Sequence, residues 1–212
     1  MEKQTQNNLI QRLALTALLV VVPAMSWYYL REGMKYRKTS LSELKDYGKV
    51  EAFEAKTLNG LVMNQDSLKG KIAIVTFVMN GTDANDILLM ENYTKMIKQF
   101  QERKEVCFLT FINADSSNTL GIAQRNKIIA PTSYIAATTK AKILEIMKAF
   151  KVETTAEINS YPYLVFLDTN SSVRFMYDAT KPEPMKRMVE HIAMKLPLAK
   201  TGDPEVLHEA RR

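Results

Sequence analysis

Residues 13–30 read LALTALLVVVPAMSWYYL, eighteen residues without a charge between Arg12 and Arg31. As a helix rising about 1.5 Å per residue, this run spans roughly 27 Å, close to the ~30 Å hydrocarbon thickness of a bilayer. Trp27, Tyr28 and Tyr29 close it, and amphipathic rings favour the lipid–water interface. The run reads as a single transmembrane helix, with Arg12, Trp27, Tyr28, Tyr29 and Arg31 at its interfaces with water. Pro23 would kink or weaken the helix, which bilayer helices tolerate. Ala24-Met25-Ser26 also resembles a signal-peptide cleavage site, but the aromatic and basic flank after the run suits a retained anchor.

An anchor there organises the rest of the chain. Residues 1–12 form an N-terminal tail, 31–49 a polar stalk, 50–196 a folded domain and 197–212 a polar C-terminal tail. Lys3 and Arg12 precede the span, whereas Arg31, Lys35, Arg37 and Lys38 follow it. That bias, counted alone, favours a cytoplasmic C-terminal domain. The net charge of +6 is spread among acidic residues, and its densest basic stretch is juxtamembrane. With no nucleic-acid-binding motif, the chain is not expected to bind DNA or RNA.

The domain is read from periodicity. Within the stalk, Ser40 with Glu43 three residues on marks a short capped helix that Gly48 would end. Glu51–Lys56 and Leu61–Asn64 flank an Asn59-Gly60 turn as a hairpin. Lys71–Met79 and Val106–Ile112 are apolar, β-branched runs suited to strands buried on both faces. Between them Ile87, Leu88, Met90, Tyr93, Met96, Ile97 and Phe100 recur at helical spacing. A strand–helix–strand order implies a parallel right-handed crossover. Residues 116–129 read as partly helical and Ala141–Phe150 as a further helix. Tyr163–Leu167 and Val173–Tyr177 pair around a turn, and Glu183–Lys195 closes with a helix. The order β-β-β-α-β-α-β-β-α is α/β and describes a thioredoxin-like fold. Such folds commonly place a cis-proline before the third core strand, where Tyr161-Pro162 stands, so Pro162 is a candidate cis residue.

Cys107 is the only cysteine. An intramolecular disulfide is therefore impossible, and a multi-thiolate metal site within one chain is excluded. Inside VCFLTF it reads as a small core residue.

The domain resembles the membrane-anchored SCO/SenC family of cytochrome-oxidase assembly factors over residues 50–196. The resemblance is carried by Ser67-Leu68-Lys69-Gly70-Lys71 leading into the strand that ends at Phe77, and by Phe111-Ile112-Asn113-Ala114-Asp115. It is carried also by Tyr134–Val152 and by Tyr163-Leu164-Val165-Phe166-Leu167-Asp168. The family's working motif is Cys-x-x-x-Cys after the first core strand, with a distant His, which binds copper or performs thiol chemistry. In Phe77–Asp86 (FVMNGTDAND) the cysteine positions hold Thr82 and Asp86; the His position, eight residues before Asp168, holds Ser160. Copper(I) selects soft thiolate and thioether ligands, and disulfide exchange needs a thiolate and a second sulfur. Thr82, Asp86 and Ser160 supply neither, so the resemblance implies a degenerate member that is not a redox enzyme and carries no cofactor.

The expected role is an accessory subunit or docking factor of a membrane protein complex, with cytochrome oxidase or another respiratory assembly first in line. The resemblance places the domain in the periplasm, on a bacterial inner membrane, against the charge count. Two alternatives stand beside it. Met79, Met90, Asp86 or His191 could form a copper site without cysteine, or Cys107 could pair with another protein's thiol. More ordinary roles compete for the same residues: core packing for Met79 and Met90, packing or surface positions for His191 and His208, and a solvated helix start for Asp83, Asp86 and Glu91. Thr82 and Asp86, four apart, would share a helix face, with Thr82 or Asp83 as the N-cap.

Overall fold

The computed structural model describes residues 2–115, 131–153 and 160–197, with side chains described from residue 15 onward. The helical stretch expected within 116–129, the side chain of Arg12, and His208 with the tail from residue 198 lie outside the described residues.

The chain forms two compact units, Met1–Glu43 and Leu44–Arg212. The first is a single helix, α1 (Glu2–Ser42), running through Pro23. No break follows residue 30, and no new helix starts at Ser40. Residues 31–38 contain only Gly33 as a weak point, about 1 kcal/mol against Ala. Lys35 pairs with Glu32 one turn earlier at 2.7 Å. Near the end, Ser42 Oγ donates to Thr39 O at 2.6 Å instead of capping a fresh helix. Among the described residues no helix is long and apolar enough to cross a membrane. Leu13 and Ala14, the first residues of the expected span, fall outside the side-chain description. The remainder, 15–30, spans about 24 Å as helix. Its Leu15, Leu18, Leu19, Trp27, Tyr28 and Tyr29 are exposed.

The second unit is a five-stranded mixed sheet with a hairpin beside it. In chain order come β1 (Glu54–Lys56), β2 (Val62–Asn64), a 3-10 turn (Gln65–Leu68), β3 (Ile72–Val78), α2 (Ala84–Phe100), β4 (Val106–Asn113), β5 (Ser133–Thr138), α3 (Lys140–Ala149), β6 (Tyr163–Leu167), β7 (Val173–Asp178) and α4 (Pro182–Lys195). The sheet order is β5-β4-β3-β6-β7. β3, β4 and β5 are mutually parallel, and β6 and β7 continue the sheet antiparallel. Every residue of β3 and β4 is buried, as expected of central strands covered on both faces.

One face packs around the rings of Phe53, Phe77, Phe111 and Phe150 with Ile143 and Met147 of α3. Phe77 stacks on Phe111 at 5.3 Å, and Phe150 meets both edge-on. On the alternate residues Tyr93 of α2 packs on Phe108, and Phe166 meets Tyr177, which contacts His191 of α4.

Two features differ from the sequence reading. β5 is a strand where none is expected between β4 and β6; its Ala136-Ala137 pair lacks the β-branched signature, and only Ala136 is fully buried. Residues 47–49, expected at the end of the stalk, attach with Val50 to the start of β7 and the turn before it, through an antiparallel bridge of Lys49 to Ser172. Tyr47 N donates to Val173 O, Val173 N to Gly48 O and Val50 N to Ser171 O, all within 3.0 Å. Gly48 makes this possible at φ +96°, a conformation costly for a residue with a Cβ.

Candidate functional site

The site lies where β3 ends and α2 begins. After Val78 the chain must reverse into α2, and Gly81 at φ +73° makes the turn. The turn aims the N–H groups of Asn80 and Gly81 at one point, where both donate to Oδ2 of Asp86, at 3.1 and 2.9 Å. Asp86 sits in the first turn of α2, three residues after the N-cap position at Asp83, and is fully buried. Its other oxygen, Oδ1, accepts the Ser160 hydroxyl at 3.0 Å. From the neighbouring strand, Asn113 Nδ2 donates to Met79 O at 3.0 Å and ties the turn to the end of β4.

Two of the three sequence-chosen positions, Asp86 and Ser160, therefore meet although 74 residues separate them. The third does not join them. Thr82 precedes the helix and is exposed, and its hydroxyl donates to Asn80 Oδ1 at 3.3 Å. Thr82 and Asp86 thus share no helix face, because residue 82 is not helical. Asp83 takes the N-cap position with extended backbone angles but makes no side-chain cap bond. Asp86, one turn inside, instead reaches back to the preceding loop, an N3 acid serving backbone donors in the manner of a capping box.

None of the remaining candidates bonds to the Asp86 carboxylate. Pro162 follows Ser160, but there is no cis peptide bond among the described residues, so the Tyr161–Pro162 bond is trans and the expected cis residue is not found. Trans is the default by about 0.5–1 kcal/mol for X-Pro. Here it feeds Pro162 O to Ala179 N at 2.8 Å and the Tyr161 ring onto Phe77 at 6.0 Å. Met79 and Met90 are buried, Met79 in the Phe77 cluster. His191 is fully buried on α4 with Nδ1 against the Tyr177 hydroxyl. Asp83, Asp86 and Glu91 do not converge, since Glu91 faces solvent, and no group of three metal-ligating side chains occurs among the described residues.

Cys107 is buried in β4 opposite Ala73. Burial pushes its thiol up to about 11, only partly offset by the Lys71 charge. A thiol that is both protonated and shielded at neutral pH is a poor nucleophile. Iodoacetamide is accordingly expected to leave Cys107 unmodified in the folded chain and to react fully in denaturant, read by intact mass. Rapid labelling of the folded chain would contradict this placement.

The sheet order, the crossover from β3 to β4 and the loop leading into α2 define a thioredoxin-like fold. No family model matches the chain, and no curated protein matches it. Among solved structures, it is similar to BsSco, described as a member of the Sco family of cytochrome c oxidase assembly proteins. That match has a TM-score of 0.58 and 15% identity, over 72% of this chain and 95% of that one. A SCO1/SenC family lipoprotein from Bacillus anthracis matches with a TM-score of 0.57 and 18% identity, over 69% of this chain and 94% of that one. A thiol:disulfide interchange protein DsbE from Chlorobium tepidum is similar at a TM-score of 0.54 and 14% identity, over 73% of this chain and 99% of that one. The thioredoxin-like fold and its likeness to Sco/SenC structures agree with the family resemblance of the sequence.

Proposed function

We propose that this chain is a membrane-anchored, redox-inactive thioredoxin-like protein that acts by docking, as an accessory subunit or assembly factor of a membrane complex. The observation that carries this reading is the state of Asp86. In the place where the resemblance would put a second thiolate, a buried carboxyl group is taken up by Asn80 N–H, Gly81 N–H and the Ser160 hydroxyl. These bonds close the position from within, so the site is a joint between loop, helix and strand. The lone cysteine lies in β4, in the core. A copper site without cysteine is not favoured, because both Asp86 carboxylate oxygens are taken up by Asn80 N–H, Gly81 N–H and the Ser160 hydroxyl, and His191 Nδ1 is taken up by the Tyr177 hydroxyl.

The anchor is residues 13–30, with Trp27, Tyr28, Tyr29 and Arg31 at one interface and Arg12 at the other. The domain is assigned to the periplasmic side of a bacterial inner membrane. A respiratory oxidase is the first candidate complex, an analogy drawn from the Sco structures, since fold alone does not give function.

Isolation of the native protein in mild detergent tests the reading. Recovery in stoichiometric association with membrane subunits is expected; recovery alone would overturn it. In the same preparation, titration with Cu(I) under reducing conditions is expected to give no micromolar site, and tight 1:1 binding would revive the copper alternative.

A further inference from the structure

Three stretches of chain converge where β3 starts and β6 ends, at the far end of the sheet from the β3–α2 turn. They are residues 47–50, the Lys69-Gly70 turn and the Asp168–Ser172 turn between β6 and β7. Backbone bonds hold them together. Val50 N donates to Ser171 O, Val173 N to Gly48 O and Gly70 N to Thr169 O, each at 2.9 Å. Between them lies an open hollow of about 430 Å³, lined by Lys49, Lys69, Thr169, Asn170 and Ser172.

The bonding sets the direction of two of these side chains. The Val50 and Val173 bonds flank the Lys49–Ser172 bridge and make it a non-bonded antiparallel pair. In such a pair the two side chains leave the same face and stand close together. The Lys49 ammonium and the Ser172 hydroxyl therefore serve the same hollow. Ser172 is only 7% exposed, yet its hydroxyl has no hydrogen-bond partner among the described residues. A nearly buried hydroxyl left open beside a hollow calls for a partner from outside the chain. Lys49 also lacks a side-chain partner among the described residues. The Asp168 carboxylate does not line the hollow. Its Oδ1 accepts the N–H groups of Asn170 and Ser172, and its Oδ2 lies 3.7 Å from Arg174 Nε. The competing carboxylate is Asp66, paired with Lys69 at 2.6 Å. Both side chains of that pair are exposed, and such pairs hold weakly.

We propose that this hollow binds a phosphate group, either as a free anion or as the headgroup of a lipid. Two ammonium groups match the charge of about −1.5 to −2 that a phosphate monoester carries at neutral pH. Lysine meets phosphate as a point charge. The hydroxyls of Ser172 and Thr169 and the amide of Asn170 supply donors for the remaining oxygens. None of the lining residues belongs to the Asp86 joint or to the anchor, so the site stands or falls independently of the docking role.

The test is equilibrium dialysis of the full chain in mild detergent, against radiolabelled inorganic phosphate and against radiolabelled glycerol 3-phosphate. Saturable binding of at least one of them at one site per chain, with Kd below about 1 mM, is expected. No saturable binding of either overturns the proposal. Phosphatidic acid added to the micelles then separates the sources: displacement of the bound label assigns a lipid headgroup, and its retention assigns the free anion. Lys49→Gln and Lys69→Gln should each weaken binding about tenfold and Ser172→Ala about threefold, whereas Lys98→Gln, which removes the same charge from exposed α2, should change it less than about twofold. Asp66→Asn, which frees Lys69, should tighten binding about threefold. Equal losses from Lys98→Gln and Lys49→Gln would show diffuse attraction to a basic chain and overturn the site. Continued protection of Cys107 from iodoacetamide shows that each variant is folded. If Ser172→Ala fails that check, the two exposed lysines decide.

Discussion

Phe111→Ala is expected to destabilise the domain by about 3–5 kcal/mol, the usual cost of removing a fully buried ring. Phe111 lies on β4 with no exposed surface and touches three other rings: Phe77 at 5.3 Å and Phe53 and Phe150 each at 6.1 Å. These rings come from the entry to the hairpin, the two central strands and the end of α3. No single neighbour can move into the void without abandoning its own packing, so little collapse offsets the loss. In thermal unfolding this corresponds to a fall in Tm of roughly 10 °C for a domain of this size. In urea the midpoint should fall with the m-value unchanged. Phe175→Ala, at the half-exposed edge, is the matched control and should cost well under half as much. Equal losses would mean that the Phe77–Phe111 cluster is not the mechanical centre described above.

That cluster also explains why the middle of the fold was legible in the sequence. KIAIVTFVM and VCFLTFI are apolar without alternation, which only a strand buried on both faces requires, and β3 and β4 are buried throughout. The amphipathic spacing from Met90 to Phe100 likewise had one reading, and α2 buries Met90, Tyr93, Met96, Ile97 and Phe100. Ile87 and Leu88 are placed on the same buried face by the sequence reading yet are exposed, because the buried stripe of α2 runs through Asp86, Leu89, Met90 and Tyr93 and leaves 87 and 88 on the solvent side. β5 was hidden for the opposite reason: an edge strand that buries one alanine fully carries almost no periodic signal, and its order comes from pairing with β4. Residues 47–50 were hidden because their attachment to β7 is made by backbone groups, which any residue carries.

The site shows the same division. Family resemblance singles out Thr82, Asp86 and Ser160, and the four-residue spacing sets Asp86 beside Thr82. The structure keeps Asp86 with Ser160 and sends Thr82 outward. The deciding element was Asn80-Gly81, read only as loop, whose two N–H groups converge because Gly81 adopts a left-handed conformation. A Gly followed five residues later by an acid inside a helix start was the available clue. Composition could not show that the partner of the acid would be the backbone.

Asp86→Ala is the second large effect, at about 2–4 kcal/mol, because it removes the acceptor and leaves its donors in place. The N–H of Gly81 is buried with no other partner assigned to it, and an unpaired buried donor costs about 1–3 kcal/mol. Ser160 loses the bond that ties its segment to α2, which adds to the cost. Asp86→Asn should fall between Ala and wild type, since one amide oxygen can still accept from the turn while the amide donor must face Ser160 or an N–H. Ser160→Ala should cost about 1 kcal/mol, the net worth of one hydrogen bond. The double variant should then lose less than the sum of the singles, with a coupling of about 0.5–1 kcal/mol, bounded by the Ser160→Ala cost. Strict additivity would show that the two groups do not bond in solution. The order of effects also separates the two views of the site. A vestigial ligand position would tolerate Asp86→Ala with little loss of stability, whereas a joint holding the β3–α2 turn to the segment before β6 would not.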